Sequence, residues 1–352
     1  MSAHHAQIQS SLPRRALGRT ALRLSELGLG TASLGNLYRP ITDTEAQDTL
    51  NAAFNEGLSY VDCAPYYGFG LSEQRVGAGL RGREGTVVSS KVGRLLEPAP
   101  DVSDDSERFG FRSAMPFTPV FDYSHDGVMR SWESSLQRLG RTRIDILYVH
   151  DIGRMTHGYR HPERMHQLIH GGGLRALAKL RADGQIDAIG IGVNEIPICL
   201  ELLEEADLDV ILLAGRYTLL EQKALDSLFP ECARRGTSIV IGGPYNSGIL
   251  ATGTRGDAIP RFNYEVAATD VVFRVRRLER VCREFNVPLP AAALQFPLAH
   301  PQVASVIPGL GGREQVEQTM TFYRTRIPPE FWHELRSQNL IHEAAPLPVD
   351  KV

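Results

Sequence analysis

The sequence has little lysine, few cysteines and no long apolar segment. Of its 38 basic residues, 34 are arginine, and the four lysines are Lys91, Lys179, Lys223 and Lys351. The four cysteines lie far apart without a CxxC pair or a zinc-like spacing, which favours reduced thiols in a cytoplasmic protein. No run approaches the ~20 apolar residues of a membrane span. A net charge of −3 provides neither a basic surface for nucleic acid nor a polybasic membrane patch.

The domain organisation is simple. Residues 1–14 lack the apolar segment of a signal peptide and are expected to form a flexible tail. Residues 15–345 alternate between short apolar runs and helical patterns, with no linker or low-complexity stretch, so one domain is expected.

Eight apolar runs have the character of buried parallel strands. They are rich in Val, Ile and Leu and lack polar alternation, as strands covered on both faces require. The eight runs are Leu27–Gly30, Leu58–Val61, Thr86–Ser90, Ile144–Val149, Ile186–Val193, Val210–Leu213, Ser238–Gly242 and Val303–Ile307.

Helical patterns fill the gaps between these runs. Thr42 and Glu45 form a capping box before a helix that ends near Gly57, and apolar stripes end at Gly140 and Gly184. Further helices fit residues 72–81, 195–206, 222–236, 267–286, 312–323 and 328–340.

Eight strand–helix units predict an α/β fold, a single (β/α)8 TIM barrel. The alternative is a doubly wound sheet, but the turn at 28–35 carries only the first two glycines of GxGxxG. The long stretch at 94–125, after the third strand, is expected to be a structureless lid over the barrel mouth. The stretch at 243–302 is expected to hold two extra helices.

Four polar residues follow the predicted strands where barrel enzymes carry their chemistry. Asp62 and Tyr67 follow the second strand, Lys91 the third and His150 the fourth. Each alone has an ordinary interpretation as a solvated strand end, a loop cap or rim packing. Together, in a chain this poor in lysine, they predict one active site at the mouth.

This set has the chemistry of a tuned proton donor and acceptor. A free tyrosine has a pKa near ~10; burial raises that value and a nearby ammonium lowers it. Lys91 is expected to make Tyr67 easier to ionise, Asp62 to hold Lys91, and His150 to orient a substrate oxygen. Because Tyr67 moves protons and not hydrides, a redox cofactor is also required.

At these residues the sequence resembles the aldo-keto reductase superfamily, from about Leu17 to Leu340. The matching segments are YVDCAPYYG, VVSSKVG, IDILYVHD and SVIPGLGGREQVEQ. The resemblance implies the same barrel, a nicotinamide cofactor and hydride transfer. It assigns Tyr67 as the acid/base, Lys91 and Asp62 as the residues that tune it, and His150 as the residue that positions the substrate oxygen.

The resemblance also implies a set of cofactor-binding residues. Asn194 would hold the nicotinamide carboxamide and Tyr217 would stack on its ring. The remaining residues fall at the loop crossing the pyrophosphate, at the adenosine end and at the first strand: Gly243, Pro244, Tyr245 and Ser247, then Gly309, Gly311, Gln315 and Gln318, then Gly30 and Thr31. Gly309 and Gln315 replace the cations common in NADP-preferring members, so NAD is favoured; Arg313 close by leaves NADP open.

Three longer segments, at 114–140, 212–222 and 241–253, resemble the branch containing D-threo-aldose 1-dehydrogenase, L-fucose dehydrogenase and pyridoxal 4-dehydrogenase. Their substrates exist as cyclic hemiacetals, whose oxidation gives a lactone. The resemblance therefore implies hydride transfer from the anomeric carbon of a sugar to NAD(P). Alternatives are a pyridoxal dehydrogenase, a general aldehyde or ketone reductase, a lyase with a Schiff base on Lys91, and a cofactor-binding regulatory subunit.

A histidine-rich stretch gives no metal prediction. His157, His161, His166 and His170 form two i,i+4 pairs without a nearby carboxylate, so a polar loop before the fourth helix is expected. The expected partner is a small sugar or aldehyde, without nucleic acid or membrane, in a monomer or small homo-oligomer.

Overall fold

Eight parallel strands form the predicted barrel in a computed structural model that describes residues 12–102, 105–256 and 259–348. The barrel strands are β3 (Leu29–Gly30), β4 (Tyr60–Asp62), β5 (Val87–Val92), β8 (Ile146–His150), β9 (Ala188–Val193), β10 (Val210–Ala214), β11 (Ser238–Gly242) and β14 (Val303–Ile307). Each pairs with the next, and bridges from Leu27 to Val306 and from Gly30 to Gly309 join the first strand to the last. The last two strands match their predicted bounds, and the others differ by one or two residues at one or both ends.

The helices surround the barrel. They are α1 (Asp43–Asn55), α2 (Leu71–Gly79), α3 (His125–Leu139), α4 (Arg154–His157), α5 (His161–Ile169), α6 (Gly173–Ala182), α7 (Ile196–Glu205), α8 (Leu228–Arg235), α9 (Ile249–Thr252), α10 (Thr269–Glu284), α11 (Leu289–Gln295), α12 (Arg313–Arg324) and α13 (Pro329–Ser337). The capping box of Thr42 and Glu45 is confirmed at α1, and Gly140 ends α3 in the left-handed conformation.

Alternate strand residues point into the barrel and build a separate inner core. Tyr60 and Tyr148 belong to this inner cluster, whereas their neighbours Val61 and Val149 pack outward against the helices. A hairpin before the barrel, β1 (Arg14–Ala16) with β2 (Arg23–Ser25), adds the fully buried Leu24 to the inner cluster. Sequence periodicity did not predict this hairpin, because three-residue strands are too short to show a pattern.

The predicted lid segment at 94–125 lies over the barrel mouth as expected, but it is not structureless. Its ends form an antiparallel hairpin of β6 (Arg94–Pro98) and β7 (Phe117–Phe121). The stretch at 243–302 holds α10 and α11 together with the short α9 and a second hairpin, β12 (Arg261–Phe262) with β13 (Glu265–Val266).

The histidine-rich stretch is helical, which corrects the expected polar loop. His157 and His161 are buried; His157 Nε2 lies 2.9 Å from the Tyr123 hydroxyl, and His161 Nδ1 lies 3.0 Å from the Ile152 carbonyl oxygen. These bonds give both histidines structural roles. Within the described ranges, no group of three His, Cys, Asp or Glu side chains is arranged to hold a metal ion.

Residues 1–11 of the expected tail lie outside the described residues, while Leu12 is buried and Arg14 begins β1. No helix in the part of the chain that the structure describes has the length and apolar character of a membrane span.

Candidate active site

Strand parity places the predicted catalytic side chains together. Two residues before each of Asp62, Lys91 and His150, a strand residue faces the barrel interior. Because successive side chains alternate between the two faces of a strand, all three also point into the barrel, at its mouth. Asp62 is paired in register with Ser89, and Lys91 with Tyr148. The structure therefore brings the side chains together on neighbouring strands, as the sequence predicts.

Lys91 and Asp62 form a buried ion pair. Lys91 Nζ donates to Asp62 Oδ2 at 2.7 Å and to the Cys63 carbonyl at 2.9 Å. The Ser89 hydroxyl donates to Asp62 Oδ1 at 2.7 Å. Both charged side chains are at most 3% exposed. The two hydrogen bonds donated by Nζ fix the ammonium in one position. They also make its burial possible, because a buried charge is stable only when it is paired and hydrogen-bonded.

The ionisation of this pair follows from its surroundings. Burial lowers the pKa of Lys91, but attraction to Asp62 and Tyr67 outweighs it, and the net pKa is raised. Burial raises the pKa of Asp62 while Lys91 and Ser89 hold it down, with a modest net rise. Lys91 is therefore a permanent cation at neutral pH.

Tyr67 is held against Lys91 by a tight backbone contact. Lys91 Nζ lies over the Tyr67 ring, 4.6 Å from its centroid. The loop that carries Tyr67 packs directly on Gly35: a Cβ on Gly35 would lie 2.6 Å from the Tyr67 carbonyl carbon. Gly68, at φ +65°, makes the reciprocal contact, with its own Cβ position 2.5 Å from the Gly35 oxygen.

The net pKa of Tyr67 corrects the sequence-based expectation. Burial raises the pKa of Tyr67 strongly, Lys91 lowers it and Asp62 raises it, and the net direction is upward. Lys91 thus limits the rise without reversing it. Tyr67 is a neutral phenol at neutral pH, ready to donate a proton, and it becomes a base only under alkaline conditions or when a bound group withdraws the proton.

His150 is a neutral imidazole beside Tyr67. The two rings meet edge to face with centroids 6.1 Å apart. Burial, with Arg94 and Lys91, lowers the pKa of His150 well below its usual value. The Tyr123 hydroxyl donates to the His150 carbonyl at 2.7 Å and fixes the end of β8, while Nδ1 finds no partner among the described residues. A neutral imidazole that lines the cavity is suited to bind a substrate oxygen.

Two supports of the site were missed in the sequence. Gly192 lies beside Lys91, and a Cβ there would be 3.4 Å from Lys91 Cε. Deeper in the barrel than Lys91, the Tyr60 hydroxyl lies 3.0 Å from the Ser89 hydroxyl and 3.1 Å from the Tyr148 hydroxyl. The polar network therefore continues into the barrel. The alternating glycines of AIGIGV were the available signal, since glycine inside a strand marks close approach of another group.

A cavity of about 810 Å³ opens above these residues. Its floor is formed by Tyr67, Lys91 and His150, and its walls come from the lid segment, the loop after β9 and the hairpin β12–β13. The residues that line it include Tyr66, Arg94, Phe109, Phe111, Asp151 and Tyr264. A cavity of this size encloses a small substrate together with the reactive end of a cofactor.

Two predicted cofactor residues line this cavity. The Asn194 amide lies 3.4 Å from the Tyr264 hydroxyl, and Ser247 Oγ accepts from the Tyr264 backbone N–H at 2.9 Å. The loop carrying Ser247 has left-handed backbone at Gly243, Asn246, Ser247 and Gly248. Such turns gather backbone N–H groups into concave anion sites.

The predicted roles of Tyr217 and Thr31 do not fit the structure. Tyr217 is fully buried, with ring centroids 4.5 Å from Phe229 and 5.4 Å from Phe296, so it has no free face on which a nicotinamide could stack. Thr31 is also fully buried, and its hydroxyl is engaged by the Asp62 carbonyl at 2.8 Å and by Ser72. Both residues support the fold around the site.

The remaining predicted residues lie on a surface path leading away from the cavity. Tyr245 packs on the core and Pro244 is buried, whereas Gly243, Gly309, Gln315 and Gln318 are exposed. Gly30 bridges to Gly309, and Gln315 Oε1 accepts from the Gly311 N–H at 2.8 Å, ahead of helix α12.

These residues fit an extended nicotinamide dinucleotide. The Asn194 amide would offer a donor and an acceptor to a carboxamide, the left-handed loop would offer N–H groups to a pyrophosphate, and the exposed Gly309 would leave room for an adenosine. When bound, the dinucleotide supplies a hydride donor or acceptor.

Comparison with known proteins agrees with this geometry. A model of the aldo/keto reductase family matches residues 26–339. The chain is 48% identical over 339 residues to pyridoxal 4-dehydrogenase of Microbacterium luteolum, across 93% of this chain and 98% of that protein. It is 39% identical over 334 residues to D-threo-aldose 1-dehydrogenase of a Pseudomonas species, across 93% and 97% respectively.

A solved structure has the same architecture. The holo form of the aldo-keto reductase AKR11C1 from Bacillus halodurans superposes with a TM-score of 0.73 at 25% identity, covering 95% of this chain and 98% of that one. The family resemblance and the barrel fold predicted from the sequence are thereby confirmed. The chain belongs to the aldo/keto reductase family and is an NAD(P)-dependent oxidoreductase acting on CH–OH and carbonyl groups.

Proposed function

We propose that the enzyme oxidises the hemiacetal carbon of a small cyclic substrate, giving the lactone, with NAD as the hydride acceptor. The observation that carries the proposal is the buried Lys91–Asp62 pair, with Tyr67 against the ammonium and neutral His150 beside it, on the floor of a cavity of about 810 Å³. The leading substrate is a sugar of the L-fucose or D-threo-aldose type.

In this proposal Tyr67 exchanges one proton with the substrate and His150 binds the substrate oxygen. Lys91, held by Asp62, favours the ionisation of Tyr67. The anomeric hydroxyl binds between Tyr67 and His150, and its proton passes to the ionised oxygen of Tyr67. The C–H bond breaks with both electrons leaving as hydride, and the carbonyl of the lactone forms. In the reverse direction Tyr67 returns the proton to the carbonyl oxygen.

Pyridoxal is the second candidate, because its hemiacetal places a flat ring in the same cavity. Two aromatic residues of the wall favour it: Phe111 packs edge to face on Tyr66 at 5.4 Å, and Phe109 lies 6.5 Å from Tyr66. Aromatic walls hold a flat ring by stacking. The identity to a pyridoxal 4-dehydrogenase supports this candidate, and that to a D-threo-aldose 1-dehydrogenase supports the sugar.

The preference for NAD is proposed from the adenosine end of the path. Gly309 has no side chain, and Gln315 is engaged with Gly311. The charge of Arg313 is paired with Glu317 at 2.8 Å. Arg39, which donates to the Gly311 carbonyl at 3.3 Å, also faces Glu45 at 3.9 Å. Cations already shared with carboxylates bind a 2′-phosphate weakly, because the partner must be displaced.

The Schiff-base alternative is disfavoured by the state of Lys91. A lysine that attacks a carbonyl must lose its proton, which a lowered pKa promotes. The pKa of Lys91 is raised instead, and its ammonium donates to Asp62 and to a backbone carbonyl. A cofactor-binding regulatory subunit would bind the nucleotide without turnover. Such a protein does not need an intact set of proton-transfer groups, so their presence disfavours this alternative.

The test is an NAD-reduction screen over L-fucose, D-arabinose, D-galactose, L-galactose and pyridoxal, with mass spectrometry of the product. Formation of NADH together with the lactone is expected. Reduction of simple aldehydes without oxidation of any hemiacetal would overturn the proposal in favour of a general reductase. Borohydride trapping of substrate on Lys91 would support the lyase, and tight nucleotide binding without turnover would support the regulatory subunit.

A further inference from the structure

A second polar group faces the cavity besides the proton-transfer residues. Arg94, the first residue of β6, is 8% exposed at its side chain, and its guanidinium lies 4.1 Å from the centroid of the Tyr66 ring and 5.2 Å from that of Phe121. Arg94 Nη2 donates to Asp151 Oδ2 at 2.6 Å. Nε is buried without a hydrogen-bond partner among the described residues.

The backbone at Asp151 directs the carboxylate toward this arginine. Asp151 follows His150 and has a φ of +45°, a left-handed conformation that non-glycine residues seldom adopt. Its N–H donates to the Gly192 carbonyl at 3.0 Å, which anchors the turn. Asp151 Oδ2 lies 3.5 Å from His150 Nε2. Strained backbone of this kind is retained where the surroundings fix it, often at functional sites.

Stability gives little reason to keep such a pair. Burying two charges costs a desolvation energy that is about equal to the energy gained from their attraction. Replacing such a pair by apolar residues of similar volume is therefore often neutral or stabilising. The pair nevertheless lines the cavity that holds the proton-transfer residues. A guanidinium and a carboxylate side by side present donors and acceptors together, which is what a hydroxyl group needs because it both accepts and donates.

We propose that the Arg94–Asp151 pair binds a hydroxyl flanking the reacting carbon and thereby selects the substrate. The inference rests on the proposed function, in which His150 holds the reacting oxygen, and it adds a second point of recognition next to His150. In a sugar the flanking group is the hydroxyl on the neighbouring carbon. In pyridoxal it is the phenolic hydroxyl on the ring carbon next to the one that bears the aldehyde. Arg94 and Asp151 are thus specificity-determining residues, outside the proton transfer itself.

The test compares substrates that differ by one hydroxyl. Lactaldehyde with propanal represents the sugar geometry, and 2-hydroxybenzaldehyde with benzaldehyde represents the pyridoxal geometry. For each pair, the ratio of kcat/KM in the reductive direction is measured for the wild type, Arg94→Gln and Asp151→Asn. The wild type is expected to favour one hydroxylated aldehyde by about 10- to 100-fold, the factor that one hydrogen bond to a charged group provides. Both variants should bring that ratio close to one, mainly through the hydroxylated member.

Arg234→Gln is the matched control, since Arg234 is an exposed arginine of α8 that is paired with Glu231 at 2.6 Å and is not among the residues lining the cavity. It removes the same charge and should leave the ratio as in the wild type. Arg94→Lys, which keeps the charge but loses the planar donors, should retain part of the preference. A purely structural role for Arg94 would lower Tm and activity on both members alike and leave the ratio unchanged, and that outcome overturns the inference.

The aldehyde pairs separate this inference from the proposed function. If hemiacetals are not oxidised but the hydroxyl preference is present and lost in the variants, the proposed function fails and the inference stands. If lactones form but neither pair shows a preference that depends on Arg94, the inference fails alone. The pair that responds identifies which of the two substrate geometries the site recognises.

Discussion

Replacement of Lys91 by methionine tests the link between the ion pair and Tyr67. The substitution removes the ammonium that lies 2.7 Å from Asp62 Oδ2 and 4.6 Å from the centroid of the Tyr67 ring. Because burial raises the pKa of Tyr67 and Lys91 opposes the rise, its loss leaves burial and Asp62 unopposed. A charge at this range changes a pKa by about 1–3, so the pKa of Tyr67 should increase by that amount.

The expected rates follow from the direction of this change. In oxidation the ionised phenol is the base, so the rising limb of kcat/KM against pH should move to higher pH. The rate at neutral pH should fall about 10- to 1000-fold, tenfold for each unit of pKa. In reduction the neutral phenol is the acid, so its alkaline limb should also move upward. Both profiles are measured by following NADH absorbance.

The fold needs its own control, because the variant leaves Asp62 buried without its cation. Breaking such a pair from one side costs about 3–5 kcal/mol. The double variant Lys91→Met with Asp62→Asn removes both charges, so it should regain much of the free energy of unfolding but only part of the rate. Since Asp62 itself raises the pKa of Tyr67, the limb of the double variant should lie between those of the wild type and the single variant. A slower enzyme with unmoved limbs would refute the reasoning.

Four further outcomes are expected. Tyr67→Phe should lower kcat by about 10²–10⁴-fold, the usual contribution of general acid–base catalysis, while nucleotide Kd from fluorescence titration stays unchanged; a weakened Kd would place Tyr67 in cofactor binding. Tyr217→Phe removes a buried hydroxyl without a partner among the described residues, so the free energy of unfolding should rise by ~1 kcal/mol; a decrease would reveal a hidden hydrogen bond. Arg39→Gln should leave kcat/KM for NAD unchanged, and a wild-type preference for NADP above about tenfold, or ~1.4 kcal/mol, would contradict the NAD proposal. A chelator should leave kcat/KM unchanged; inactivation reversed by added metal would contradict the structural roles assigned to His157 and His161.

The sequence predicted the barrel and the meeting of Asp62, Lys91 and His150 at its mouth because both follow local rules. Strands buried on both faces lack polar alternation, which made Ser238–Gly242 and Val303–Ile307 identifiable to the residue. The carboxyl ends of parallel strands meet at one edge, so Lys91 and His150 had to converge.

The features that were missed depend on contacts between distant segments. Tyr217 is buried because Phe229 and Phe296 pack around it from α8 and from the turn after α11, which no local pattern shows. The net pKa of Tyr67 depends on how completely the folded chain excludes water. The position of Arg94 depends on the hairpin formed by the lid segment, in which Arg94 is paired with Phe121.

The central claim is that Tyr67, packed against the Lys91 ammonium, exchanges a proton with a substrate oxygen held by His150. Its most direct test is a crystal structure with nicotinamide dinucleotide and a bound sugar or pyridoxal analogue. The account predicts that the Tyr67 hydroxyl lies within hydrogen-bond distance, about 3 Å, of both Lys91 Nζ and the substrate oxygen, with a His150 nitrogen on the same oxygen. A phenol oxygen about 6 Å or more from Lys91 Nζ, or a reacting carbon bound elsewhere in the cavity, would contradict it.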